Sequence, residues 1–121
     1  MPRVCVIQIN VTDMDKAIDF YSNKLGFEIS SRDHYPAIVK LANETVPIIL
    51  YRVDKTTPSD YPNGTQTLVN IETDDLLRSL DKLRREGVEV LHDTPENCPV
   101  GIYAGVKDPS GNVIELVEYR R

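Results

Sequence analysis

At 121 residues, with 40% apolar and 27% charged side chains, the chain has the makeup of one ordinary globular domain, neither disordered nor membrane-spanning. A chain of this length buries about two-thirds of its unfolded surface, so it folds without a disulfide or a structural metal. A formal charge of −5 excludes nucleic acid as an expected partner: phosphate neutralisation needs a basic patch, and the one basic cluster, Lys82, Arg84 and Arg85, sits among acids on a helix.

Residues Arg3–Val11 are rich in Val and Ile and predict a strand. Within it Val4–Ile9 is too short an apolar run for an export signal. A cytoplasmic location is therefore expected, with Cys5 and Cys98 as reduced thiols, Cys5 in the core and Cys98 in a loop. Asp13 is the expected N-cap of a helix Asp13–Lys24, in which Met14, Ala17, Ile18, Tyr21 and Leu25 form one apolar stripe. Gly26 closes it, since a left-handed residue costs little there. Strands follow at Phe27–Ser31, Ala37–Leu41 and Val46–Val53.

Residues 54–64 hold two prolines and an Asn-Gly pair without periodicity, and read as a linker. The same order then begins again. Thr65–Glu72 predicts a strand, and Thr73 or Asp74 caps a helix carrying Leu76, Leu77, Leu80 and Leu83 on one face. Gly87 stops it, and Val88–Leu91, Gly101–Lys107 and Asn112–Glu118 supply three more strands. The chain is thus one domain, 1–121, made of module one (1–53), a linker (54–64) and module two (65–121). Such an internal repeat sets the architecture: α+β, two βαβββ modules. One helix covers one face of each sheet, and pairing the other faces around a concave space makes a cup-shaped, partly open mixed β-sheet with helices outside.

Two segments carry a family resemblance. Val11-Thr-Asp-Met-Asp-Lys-Ala-Ile-Asp-Phe-Tyr21 with Leu25-Gly-Phe27, and Lys107-Asp-Pro-Ser-Gly-Asn-Val-Ile-Glu-Leu-Val117, resemble the opening and the end of a vicinal oxygen chelate domain. That is the superfamily of glyoxalases, bleomycin-resistance proteins and extradiol dioxygenases. Asp108-Pro109-Ser110-Gly111 is also sound type I turn chemistry in its own right. The resemblance implies a small-molecule ligand in the cup and a homodimer.

Metal-dependent members of the family hold a divalent ion with ligands from the first, fourth, fifth and eighth strands. By register those positions are Val6, Ile49, Leu68 and Glu115, and three aliphatic side chains offer no donor. No metal and no cofactor are expected. Asp33–His34 and His92–Asp93 are placed at exposed hairpin ends, too far apart for a zinc set. Strand alternation adds neighbours to the same faces: Gln8 and Asn10 beside Val6, Tyr51 beside Ile49, Asn70 beside Leu68, and Val113 and Val117 beside Glu115. The family register adds Tyr103 and Gly105. The expected ligand contacts are Gln8, Asn10, Tyr51, Leu68, Asn70, Tyr103 and Glu115, a mainly apolar lining with a few polar groups.

Glu115 is the one candidate general acid or base, unless it pairs with Arg3 or Lys107 and serves structure alone. No nucleophile triad and no phosphate loop is present. The leading expectation is a metal-independent glyoxalase-like protein that binds a small, partly apolar organic molecule, with or without turnover. The alternatives are a metal-dependent lyase, isomerase or dioxygenase with an atypical site, and a non-catalytic drug-binding or interaction module.

Overall fold

The computed structural model describes all of residues 1–121. The chain forms two compact units, Met1–Thr57 and Pro58–Arg121. Each contains one four-stranded mixed sheet and one helical segment, so the architecture is α+β with the repeated order the sequence predicts. Segment 58–64, read as linker from composition, belongs to the second unit.

In the first unit the strands are β1 (Ile7–Val11), β2 (Ile29–Ser31), β3 (Ile38–Leu41) and β4 (Ile48–Arg52), in the order β1-β4-β3-β2. β1 runs parallel to β4 and the other pairs are antiparallel. β1 starts at Ile7 rather than Arg3. Ile7 pairs with Ile48 and its N–H reaches the carbonyl of Pro47, and proline has no N–H to carry the ladder further. Cys5 is consequently exposed, not core.

Helix α1 (Met14–Ile18) is capped by Asp13, whose side chain accepts from the Lys16 N–H at 3.1 Å. It continues as a π-helical segment, Asp19–Lys24. The wider turn closes with the Leu25 N–H bonded to the Phe20 carbonyl at 2.9 Å, and adjacent Phe20 and Tyr21 both lie inward, edge to face at 4.9 Å. Phe20 and Tyr21 follow buried Ala17 by three and four residues, so both fall on the helix's buried face; Phe20 belongs to the apolar stripe beside the residues expected there. Gly26, at φ +93°, ends the segment as expected.

In the second unit β5 (Val69–Glu72), β6 (Glu96–Cys98), β7 (Gly101–Lys107) and β8 (Val113–Tyr119) lie in the order β5-β8-β7-β6, with β5 parallel to β8. Helix α2 (Leu76–Arg85) buries Leu76, Leu80 and Leu83 but leaves Leu77 exposed. Its cap is Asp75, not Thr73 or Asp74: the Asp75 carboxylate accepts from the Arg78 N–H at 3.1 Å. Glu118 adds a second acceptor, taking the Leu76 N–H at 2.8 Å, where a carboxylate also meets the positive end of the helix. Glu118, Leu116 and Ile114 alternate onto one face, so that face of the sheet is the one next to α2. Ala104 and Val106 share it by register and are buried.

Two segments differ from expectation. Val88–Leu91 makes only a single bridge, Val90 to Val106, and the edge strand is Glu96–Cys98 instead, so Cys98 lies in a strand. The ladder breaks at His92. Its Nδ1 accepts from the Gly105 N–H at 3.0 Å, taking a donor that a backbone carbonyl would need in order to continue the pairing.

Candidate functional site

The face of the second sheet opposite α2 is set by the β7–β8 turn. Asp108 is only 5% exposed. Its Oδ1 accepts from the N–H groups of Ser110 at 2.9 Å and Asn112 at 2.8 Å, and its Oδ2 from the Asn112 side-chain amide at 2.9 Å. The Gly111 N–H closes on the Asp108 carbonyl at 3.1 Å, the turn expected of Asp-Pro-Ser-Gly. This fixes Gly105 opposite Glu115 and Tyr103 opposite Val117. Residues paired across strands share a face, so Asn70, Glu115 and Gly105 form one row, and Glu72, Val117, Tyr103 and Glu96 the next.

Glu115 lies half-buried between Val113 and Val117, each 6% exposed. A carboxylate in such a strip needs a donor, and it has one: the Tyr61 hydroxyl donates to Glu115 Oε2 at 2.7 Å. Neither Arg3 nor Lys107 fills that role; Lys107 stands 4.0 Å from Glu89. Tyr61 comes from the turn at Asp60–Gly64, where the Gly64 N–H bonds the Asp60 carbonyl. Its ring lies over Gly105, where an added Cβ would stand 3.2 Å from Cζ and 3.3 Å from Cε1.

Two further rings complete the cluster. His92 sits edge-on to Tyr61 at 5.7 Å and to Tyr103 at 5.8 Å. With Nδ1 acting as acceptor, the neutral imidazole carries its proton on Nε2. Burial, then the hydrogen bond to Glu115 and its charge, hold the Tyr61 phenol well above the usual tyrosine range. Tyr103 is pushed up in the same direction by burial and by the charges of Glu115 and Glu96. Both hydroxyls are therefore donors at neutral pH.

Of the residues singled out from the sequence, Glu115 and Tyr103 belong to this cluster, and Asn70 neighbours Glu115 in register but is exposed. Leu68 lies just before β5 and is half-buried. Gln8, Asn10 and Tyr51 share one face of the first unit's sheet, with Gln8 Nε2 donating to Asn10 Oδ1 at 2.8 Å and Tyr51 opposite Asn10. Tyr61 and His92 were missed. His92 is half-buried against two rings rather than at an exposed hairpin end. Tyr61 lay in a segment without periodicity, and its one sequence signal is being the single aromatic residue of that stretch.

Two four-stranded mixed sheets, each with a parallel outer pair and one helix, define the class of duplicated βαβββ proteins. The chain belongs to the Glyoxalase/Bleomycin resistance protein/Dioxygenase superfamily, whose family model matches residues 3–116. It is 27% identical over 124 residues to the lactoylglutathione lyase of Neisseria meningitidis serogroup A, covering 96% of this chain and 90% of that protein. Among solved structures it is similar to TnmS3, an antibiotic binding protein from Streptomyces sp. CB03234. That match has 27% identity, covers 99% of this chain and 98% of that one, and gives a TM-score of 0.75. A putative glyoxalase family protein from Bacillus anthracis shares the fold at 17% identity, with 99% and 97% coverage and a TM-score of 0.77.

The metal that some members of this family use does not fit the residues present. The positions given by the resemblance hold Val6, Ile49 and Leu68 beside Glu115, and aliphatic side chains cannot coordinate. No group of three or more His, Cys, Asp or Glu side chains is gathered where it could hold an ion.

Proposed function

We propose that this protein binds a small, partly apolar organic molecule at the Glu115 face of its second sheet, and does so without a metal. The observation that carries the reading is the 2.7 Å bond from Tyr61 to Glu115, in a strip lined by Val113, Val117 and the rings of His92 and Tyr103. One carboxylate held by a neutral donor among apolar and aromatic surfaces is the usual makeup of a small-molecule site. The 27% identity to a protein described as antibiotic binding supports the same reading. Asn70 and Leu68 belong to it as flanking contacts; Gln8, Asn10 and Tyr51, which share one face of the first unit's sheet, are proposed as ligand contacts of that unit. The reading includes a single-domain protein, from the chain's length, and a homodimer, by family resemblance.

A second reading is favoured by the similarity to a lactoylglutathione lyase: Glu115 acts as general acid or base on the bound molecule. Its bond to Tyr61 keeps the carboxylate oriented, as a proton-transferring group requires. Ligand-observed NMR with a panel of small aromatic molecules tests the first reading, wild type against Glu115→Gln. The expected result is saturable binding that weakens at least about tenfold on loss of the charge, the scale of one charge-assisted hydrogen bond. Absence of binding across the panel, or binding indifferent to the substitution, overturns it.

A further inference from the structure

We infer that Tyr61 is a specificity-determining residue: it takes one of the two acceptor positions on Oε2 of Glu115 and stands over that side, which leaves Oε1 as the open oxygen, so the site favours molecules that need a single hydrogen-bond acceptor there, a hydroxyl or an N–H on an aromatic or apolar body. The inference rests on the proposed reading of the Glu115 face as a ligand site and names the chemistry it admits.

Three observations carry it. The hydroxyl donates at 2.7 Å, close to the best separation for an O–H to a carboxylate. The ring has a built seat. Gly105 lies directly opposite Glu115 in register, and any side chain there would meet the Tyr61 ring at 3.2 Å. His92 closes the seat from the side at 5.7 Å and is itself anchored on the Gly105 N–H. Finally, Tyr61 satisfies one carboxylate oxygen with a neutral donor that keeps its proton, so no cation compensates the Glu115 charge.

The consequences follow from hydrogen-bond geometry. A guanidinium or amidinium binds a carboxylate best with two parallel N–H bonds, one to each oxygen. With Tyr61 already bonded to Oε2 and its hydroxyl standing 2.7 Å away, such a ligand obtains one full bond at Oε1 and only a crowded, shared one at Oε2. A hydroxyl or amine needs only Oε1 and loses nothing. A carboxylate ligand meets Glu115 and Glu96 on the same face, and their charges repel it.

Three probes on one aromatic body separate these cases: benzyl alcohol, benzamidine and benzoate. They are titrated into the full chain while the ring signals of Tyr61, His92 and Tyr103 are followed by NMR. Tyr61→Phe keeps the ring and frees Oε2. Benzamidine affinity should then rise about tenfold or more, the value of one charge-assisted bond, while benzyl alcohol changes by less than about threefold. Gly105→Ala places a Cβ 3.2 Å from the Tyr61 ring, which must shift by a few tenths of an ångström and lengthen its bond to Glu115; the ratio should move in the same direction by a smaller amount, which keeps the test available if one variant fails to fold. Benzoate should bind neither the wild type nor the variants. A benzamidine to benzyl alcohol ratio unchanged within about twofold in a variant that still binds probes overturns the role of Tyr61, and leaves the small-molecule reading standing. Benzoate as the tightest ligand also overturns it. If no probe moves the ring signals of any form, the small-molecule reading itself fails.

Discussion

Replacing Asp108 with Ala removes the group that holds the β7–β8 turn and, through it, the register that sets Gly105 opposite Glu115. Three donors lose their acceptor: the N–H groups of Ser110 and Asn112 and the Asn112 side-chain amide, all at 2.8–2.9 Å. A buried donor left without a partner costs about 1–3 kcal/mol. Ser110 and Asn112 are half-buried rather than sealed, so water recovers part of that, and the expected loss is about 2–4 kcal/mol. In urea, with a slope of about 1.5 kcal/mol per molar, the midpoint should fall by roughly 1.3–2.7 M with the slope unchanged. Asp108→Asn separates charge from geometry. Its oxygen can take both backbone donors, and its amide can donate to Asn112 once that side chain turns its oxygen inward, so half the loss or less should remain. An Asp108→Ala cost under about 0.5 kcal/mol, or an Asn variant as damaged as the Ala variant, would refute the assignment of Asp108 as the turn's acceptor.

Tyr61 holds its proton in the folded chain above the ordinary value of 10.0. Linkage then fixes the sign: the stability so gained is complete below about pH 10 and is lost as pH rises beyond it, because the unfolded phenol ionises first. A phenolate absorbance titration should show Tyr61 ionising late, and Glu115→Gln should bring it part of the way back, burial being the larger cause; an unmoved titration counts against the bond. Gly87 has φ +82° with nothing within 4 Å of an added Cβ, so Gly87→Ala should cost about 1–2 kcal/mol from backbone conformation alone, measured by the same urea denaturation. A neutral substitution there would mean the helix end relaxes.

The parts of the fold legible in the sequence are those written in local chemistry. Asp13, Gly26, Gly87 and the Asp-Pro-Ser-Gly turn each act through their own backbone, and the repeated order of strand, helix and strands locates both sheets. The errors arise where a distant group decides. Pro47 truncates β1 from across the sheet. Glu118 reaches from β8 to the start of α2, and the His92 side chain interrupts a strand that composition alone supports.

The site divides in the same way. Alternation on β7 and β8 puts Tyr103 and Glu115 on one face, because period two is a property of the strand itself. Tyr61 and His92 could not be placed that way. Each joins the cluster through one long-range bond, to Glu115 and to Gly105, and neither segment has a period from which to read a direction.

The central claim is that the Glu115 face binds a small molecule with Tyr61, not a metal ion, as the carboxylate's partner. Its most direct test is a ring-carbon NMR titration of the wild type with benzyl alcohol, run in chelator and then with added zinc. The account predicts saturable shifts at Tyr61, His92 and Tyr103 in chelator, unchanged by zinc. Shifts that appear only after zinc is added, together with zinc bound one-to-one and lost in Glu115→Gln, would contradict it.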